Sequence, residues 1–106
     1  MAKYLIQGNY VGEGVKGLLK EGGTSRRAVV EKLAQSVGGT VEAFYYAFGD
    51  SDFYLITDLP DNASVAAIVL MARASGAIVG KTTVLLTPEE LDVAAKKTPT
   101  YRPPGQ

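Results

Sequence analysis

The sequence contains no cysteine, no histidine and no tryptophan. Without cysteine there can be no disulfide and no thiolate nucleophile. Without histidine there is no Ser-His-Asp triad and none of the imidazole ligands typical of zinc and haem sites. These absences exclude much of enzyme chemistry, and we expect no cofactor and no metal.

Neither sign of charge dominates, and long apolar runs are missing. The 11 lysines and arginines balance the 11 aspartates and glutamates, so no net field attracts nucleic acid or anionic membrane. The longest apolar segment, Ala63 to Ala74, is too short to span a bilayer, and the N-terminal MAKYLIQGN does not resemble a signal peptide. We therefore expect a cytoplasmic protein with neither nucleic-acid nor membrane partners.

The first third of the chain predicts a strand followed by a helix with a split start. Residues alternate from Tyr4 to Tyr10 as in a strand. Gly22-Gly23 interrupts the helical pattern, Thr24 or Ser25 could cap a new helix, and Gly38-Gly39 supplies a left-handed stop. The apolar positions of this helix recur at helical spacing: Val30, Leu33, Ala34 and Val37.

The middle of the chain predicts a β-hairpin. Thr40 to Phe48 and Asp52 to Leu59 are rich in aromatic and β-branched residues, and Gly49-Asp50-Ser51 separates them. We expect Gly49 to adopt a positive φ in this turn. Asp52 is predicted to accept turn amides and fix the hairpin, in preference to binding a ligand.

The remaining elements complete the fold. A helix is expected to start at Asp61 or Asn62 and run to Gly76, and a strand to follow over Ala77 to Leu86. A short last helix is expected to have Thr87 as its cap and Pro88 at its first position, and to end near Lys97. The order βαββαβ plus a C-terminal helix predicts an α+β, ferredoxin-like domain with a four-stranded antiparallel sheet over residues 1–97. Residues 98–106 form an extended tail.

The sheet face without helices needs cover. Alternation places Phe44, Tyr46 and Phe48 on the helix side of the second strand. The residues on its other side are also apolar or aromatic: Val41, Ala43, Tyr45 and Ala47. A monomer would expose this surface, so we predict a homodimer or higher oligomer whose sheets pack back to back as a dimeric α+β barrel.

The predicted hairpin region resembles the signature of a known family. The stretch from Gly38 to Phe53, GGTVEAFYYAFGDSDF, resembles the signature region of the GYD-domain family, whose G-x-Y-D element here reads Gly49, Asp50, Ser51 and Asp52. Ser51 replaces the family tyrosine. The resemblance extends over residues 3 to 93, and it implies the dimeric α+β barrel superfamily without implying an activity.

Two glycine motifs resemble phosphate-binding loops. Gly12 to Gly17 matches G-x-G-x-x-G, but the helix behind it is broken at Gly22-Gly23 and no repeated βαβ series follows, so we interpret it as a loose helix start. Gly76 to Thr82 has one residue too few between its glycines for a phosphate-binding loop and leads into a strand. Gly80 is instead expected to allow a bulge or a close contact.

Polar residues on the uncovered sheet face are the candidate site. Alternation brings five of them to this face: Gln7, Asn9, Tyr45, Tyr54 and Asp58. They could bind a small, partly apolar molecule in the barrel or in a cavity between sheet and helices. Arg26-Arg27 is interpreted as a solvated helix face.

Three functions stay open. The chain could be a binding module, or a cofactor-independent isomerase or monooxygenase with Asp58 as base and Tyr45 or Tyr54 positioning an oxygen. In the third, a structural or regulatory assembly protein, subunit contacts would occupy the aromatic faces.

Overall fold

The computed structural model describes all 106 residues and confirms the ferredoxin-like α+β fold. The elements follow in the order β1 (Ala2–Tyr10), α1 (Glu13–Glu21), α2 (Gly23–Ser36), β2 (Thr40–Tyr46), β3 (Phe53–Leu59), α3 (Asn62–Ala74), β4 (Ile78–Leu85) and α4 (Pro88–Ala95). The four strands form one antiparallel sheet in the order β2-β3-β1-β4. None of the helices has the length and apolar character needed to cross a membrane.

Strand β1 lies at the centre and has a different role on each side of the sheet. Tyr4 pairs with Thr57 on β3 and Val84 on β4, and the neighbouring Lys3 pairs with Asp58 and Leu85. Since successive side chains point to opposite faces, one set packs under the helices. The other set, Lys3, Leu5, Gln7 and Asn9, belongs to the surface that we call the open face.

The core lies between the sheet and the helices in two clusters. The first contains Tyr4, Ala34, Leu59 and Val65, and the second contains Tyr10, Phe53 and Leu55. Burying each large apolar side chain contributes about 1.5–3 kcal/mol. The hydroxyl of buried Tyr4 donates to Asn62 Oδ1 at 2.6 Å, so the polar group of this core tyrosine has a partner.

Local signals predicted several helix ends. Asp61 accepts from the Ser64 amide at 2.9 Å to cap α3, and Thr87 and Glu90 form a reciprocal capping box at the start of α4. Gly38 has φ 84° and ends α2, as predicted.

The predicted cap of α2 at Thr24 or Ser25 is wrong. Helix α1 ends at Glu21, and the Gly22 amide donates to Leu18 O at 2.8 Å while Gly22 itself has φ 85°. One left-handed glycine thus closes α1 and opens α2. No extended serine or threonine remains between the two helices to act as a cap.

The hairpin also differs from the prediction in three respects. Strand β2 stops at Tyr46, so Phe48 lies in the connecting loop with its side chain fully exposed instead of packing under the helices. Gly49 does not adopt a positive φ, because the longer Ala47–Asp52 loop, closed by a 2.8 Å bond from the Ala47 amide to Asp52 O, needs no tight turn there. A β-bulge between Val41 and Ala43 turns Val41 towards the core instead of the open face.

Gly80 permits a close backbone approach between the edge strand β4 and β1, as predicted. It lies opposite Gly8 in the β1–β4 pair. A Cβ atom on Gly80 would collide with the backbone oxygen of Gln7, and one on Gly8 would collide with the backbone oxygen of Val79. Only glycine fits at both positions without a shift of the strands.

Gly80→Ala is therefore expected to lower the free energy of unfolding by about 1–3 kcal/mol, because the added methyl group forces the backbones apart. Gly17→Ala is the matched control. A Cβ at Gly17, inside α1, meets no atom within 4 Å, so this change should stabilise the protein by about 0.5–1 kcal/mol. Urea unfolding measures both, and wild-type stability in Gly80→Ala would contradict the close approach.

Candidate functional site

Three of the five predicted site residues form one row across the open face. Tyr45 on β2 pairs directly with Tyr54 on β3, and Tyr54 pairs directly with Gln7 on β1. Gln7 Nε2 donates to Ser51 Oγ at 3.1 Å. The row therefore carries two phenols, one exposed and one half-buried, beside an amide that already has a partner.

Asp58 and Asn9 lie apart from this row. Asp58 is four residues from Tyr54, roughly 13 Å along the strand, and its Oδ1 accepts from Lys3 Nζ at 2.9 Å. The same Nζ donates to Glu42 at 2.8 Å, and these bonds to Glu42 and Asp58 raise the pKa of Lys3. Asn9 lies at the other end of β1 and donates to Asp50 O at 3.3 Å.

The open face of the single chain is thus a surface with an ion-pair cluster at one end. The Lys3 ammonium occupies the Asp58 carboxylate as a hydrogen-bond partner. A base role for Asp58 stays a prediction, and this geometry adds nothing to it.

Asp52 connects the β2–β3 loop to the end of β1. Its carboxylate accepts from the Tyr10 amide at 3.0 Å, and its own amide donates to Gly8 O at 2.7 Å. The amide that it satisfies therefore lies in β1 and not in the hairpin turn. Gly49 has open space around it and contributes no comparable contact.

The helix side of the sheet carries a partly open recess. A cleft of about 400 Å³ opens between α1, α2, the end of α3 and the start of β4. We call it the sheet–helix cleft. Its floor is apolar, and its lining comprises Tyr10, Glu13, Gly14, Gly17, Leu18, Glu21, Arg26, Leu33, Met71, Ala72, Ser75, Gly76, Ala77 and Ile78. None of the five site residues predicted from the sequence is among them.

Helix α1 forms one wall of the cleft, and its glycines determine how closely α1 approaches the start of β4. A Cβ on Gly14 would collide with the backbone oxygen of Ala77, so this glycine lets α1 lie against the start of β4. Gly17 faces open space one turn later. The second and third glycines of the G-x-G-x-x-G motif are therefore cleft residues inside a helix and not a phosphate-binding turn.

Arg26 is the cationic side chain of the cleft. Its side chain is only 25% exposed, and its Nη1 is 3.9 Å from Glu21 Oε2, beyond hydrogen-bond distance. Its Nε is buried without an acceptor. The interpretation of Arg26 as solvated is wrong, although it holds for the exposed Arg27. The helical spacing contained the signal, because Arg26 precedes Val30 by four residues and Leu33 by seven.

A second recess of about 410 Å³ lies on the other side of α1, between that helix and the Ala47–Asp52 loop. Leu19 and Phe48 contribute exposed side chains to its lining, and its carboxylate, Asp52, is already bonded to the Tyr10 amide. The sheet–helix cleft is the better candidate because it combines an apolar floor with an unpartnered donor.

Tyr46 connects the end of β2 to the start of α2. Its hydroxyl donates to Gly23 O at 2.9 Å, and its ring packs edge-on against Phe44 with centroids 5.0 Å apart. Partial burial raises the pKa of Tyr46 to about 12. This tyrosine is therefore a structural contact that holds α2 on the sheet.

Comparison with known proteins gives one match. The family model described as GYD domain matches residues 4–95, from β1 to the last residue of α4. No curated protein and no solved structure matches the chain. The matched region contains both the open face and the sheet–helix cleft, and the family description names neither a ligand nor a reaction.

Tyr46 gives a test in alkaline solution. Because burial raises its pKa in the folded protein, its contribution to stability is complete below pH 10 and is lost as the pH rises through about 12. The absorbance of tyrosinate at 295 nm, measured for wild type minus Tyr46→Phe, should show a single step with a midpoint near pH 12. Circular dichroism at each pH confirms that the fold persists, and a midpoint near 10 would contradict the burial.

Proposed function

We propose that this protein, which belongs to the GYD domain family, binds a small, partly apolar molecule in the sheet–helix cleft. The volume of about 400 Å³ is the observation that carries this proposal. Small-molecule sites typically measure about 300–1,000 Å³ and combine an apolar lining with a few polar groups that orient the ligand. Tyr10, Leu33 and Ile78 supply the apolar floor, and Arg26 supplies the polar group.

Helix α1 is the wall that would adjust to a ligand. It is bounded by Gly12 and Gly22, both with positive φ, and only Gly14 among its residues is buried. A short helix between two glycines can shift without disturbing the sheet, and such segments often close over bound molecules. The glycine-rich segment from Gly12 to Gly17 would then form the rim of a pocket beside β1.

We propose further that two copies pack through their open faces as a homodimer. Leu5, Ala43 and Ile56 form an apolar row across the middle of this face. Its charges balance, with Lys3 and Lys81 against Glu42 and Asp58, so two copies meet without net repulsion. Such a dimer would bury the tyrosine row and leave the sheet–helix cleft, on the opposite side of the sheet, accessible.

The other two functions considered from the sequence, an enzyme and a purely structural assembly protein, have less support. The ion pair between Lys3 and Asp58 favours neither an isomerase nor a monooxygenase that uses Asp58 as a base. A purely structural assembly protein would have no use for a cleft with an apolar floor. The proposed dimer is compatible with ligand binding because the two functions use different faces.

Binding in the cleft can be tested by filling it. Gly17→Leu places a side chain into the open space beside α1, and leucine is a better helix former than glycine. We expect octan-1-ol, titrated by NMR, to bind the wild type and to bind Gly17→Leu roughly tenfold or more weakly. Lys16→Leu is the matched control, since this side chain is 77% exposed. Equal binding to all three proteins would mean that octan-1-ol binds outside the cleft.

The dimer is tested on the open face. Ile56→Asp puts a charge into the centre of the apolar row, so we expect sedimentation velocity to show a dimer for the wild type and a monomer for this variant. Leu70→Asp is the control, because Leu70 is exposed on α3 and far from the open face. A monomeric wild type at micromolar concentration would refute the dimer.

A further inference from the structure

We infer that the molecule bound in the sheet–helix cleft carries a carboxylate, and that Arg26 is the residue that selects it. This inference rests on the proposed function, since it assumes that the cleft binds a ligand. It adds the chemical class of that ligand. The observation behind it is a guanidinium group that lies mostly buried beside an apolar floor without a hydrogen-bond acceptor.

The protein itself offers the Arg26 guanidinium no acceptor within hydrogen-bond distance. Its one ionic neighbour, Glu21, is 3.9 Å from Nη1, and Nε has no acceptor although it is buried. A buried donor without a partner is costly, and nearly all such groups in folded proteins are paired. An acceptor from outside the chain would remove this cost.

A carboxylate is the acceptor that fits the free edge. The Nε and Nη2 groups of arginine form a fork that binds the two oxygens of a carboxylate in parallel. Arg26 lines the cleft, and its 3.9 Å contact with Glu21 is too long to be a hydrogen bond, so it holds the guanidinium only weakly.

The arrangement of charges disfavours a cation. Glu21 and Glu13 also line the cleft, but their side chains are 44% and 87% exposed, and Glu13 already has Lys16 at 3.4 Å. The Arg26 side chain is less exposed than either, at 25%, and it shares the lining with the apolar Leu33 and Ile78. A ligand whose apolar part occupies the floor therefore meets positive charge, and the energy of that contact is higher where water is excluded.

Three probes with the same eight-carbon chain test this: octanoate, octan-1-ol and octylamine. In NMR titrations of the intact protein we expect octanoate to bind at least about tenfold more tightly than octan-1-ol, and octylamine to bind most weakly. Arg26→Met keeps most of the aliphatic volume and should abolish the preference for octanoate without weakening the alcohol.

Further variants separate charge from shape and from folding. Arg26→Lys keeps the charge without the fork and should retain only part of the preference, which also covers the case in which the methionine variant does not fold. Glu21→Gln removes the competing carboxylate and should tighten octanoate by up to about fivefold. Arg27→Met, on the exposed neighbour, is the matched control and should change nothing.

The outcomes distinguish the two proposals. If octan-1-ol binds and octanoate is not preferred, or if the preference survives in Arg26→Met, the carboxylate assignment is wrong while the cleft remains a binding site. If none of the three probes binds the wild type, both proposals fail. If octylamine is preferred, the glutamates and not Arg26 determine the ligand.

Discussion

The structure depends on the position of β1, whose backbone is bonded on both edges and whose side chains must serve two surfaces. Its odd and even residues alternate between the open face and the core, so one strand carries both Lys3 and Tyr4. At one point, where Gly8 lies opposite Gly80, β4 approaches it closely only because both residues lack side chains. A shift of one residue in this strand would exchange the core with the surface, and for that reason its register is strongly specified.

The cleft follows from how α1 is attached to this sheet. Glycine inside a helix costs about 0.5–1 kcal/mol relative to alanine, and α1 contains two such residues, Gly14 and Gly17. Gly14 is explained by its contact with Ala77, whereas a Cβ atom at Gly17 would meet no atom within 4 Å, so packing does not require glycine there. Because Gly17 has no side chain, space stays open in the cleft that Arg26 also lines, and a binding pocket requires such space. Gly17 therefore lowers the stability of α1 but leaves volume in the cleft.

The two sides of the sheet divide the functions that we propose. On the open face, an apolar row and an ion-pair cluster of Lys3, Glu42 and Asp58 are suited to another copy of the same surface. On the helix side, a cleft with an apolar floor and one cation that lacks a hydrogen-bond acceptor is suited to a small molecule. Since the sheet separates them, assembly and binding need not interfere with each other.

The sequence by itself determined the features that arise from neighbouring residues. The strand and helix order, the caps at Asp61 and Thr87 and the left-handed stop at Gly38 depend on side chains and φ angles within a few positions, and all of these predictions are confirmed. The close approach at Gly80 is also predicted from the sequence, because glycine inside a strand typically marks a bulge or a close contact between backbones.

The tertiary structure decided the rest because those features depend on distant parts of the chain. The bulge that turns Val41 inwards requires β3 as its partner, and the cap of α2 disappears because α1 ends directly before it. The cleft exists only where α1, α2, α3 and β4 meet, so no local pattern could assemble it. Arg26 shows most clearly what sequence cannot predict. Its helical spacing indicates that it lies on the inward face of α2, but only the packed structure shows that its Nε has no partner.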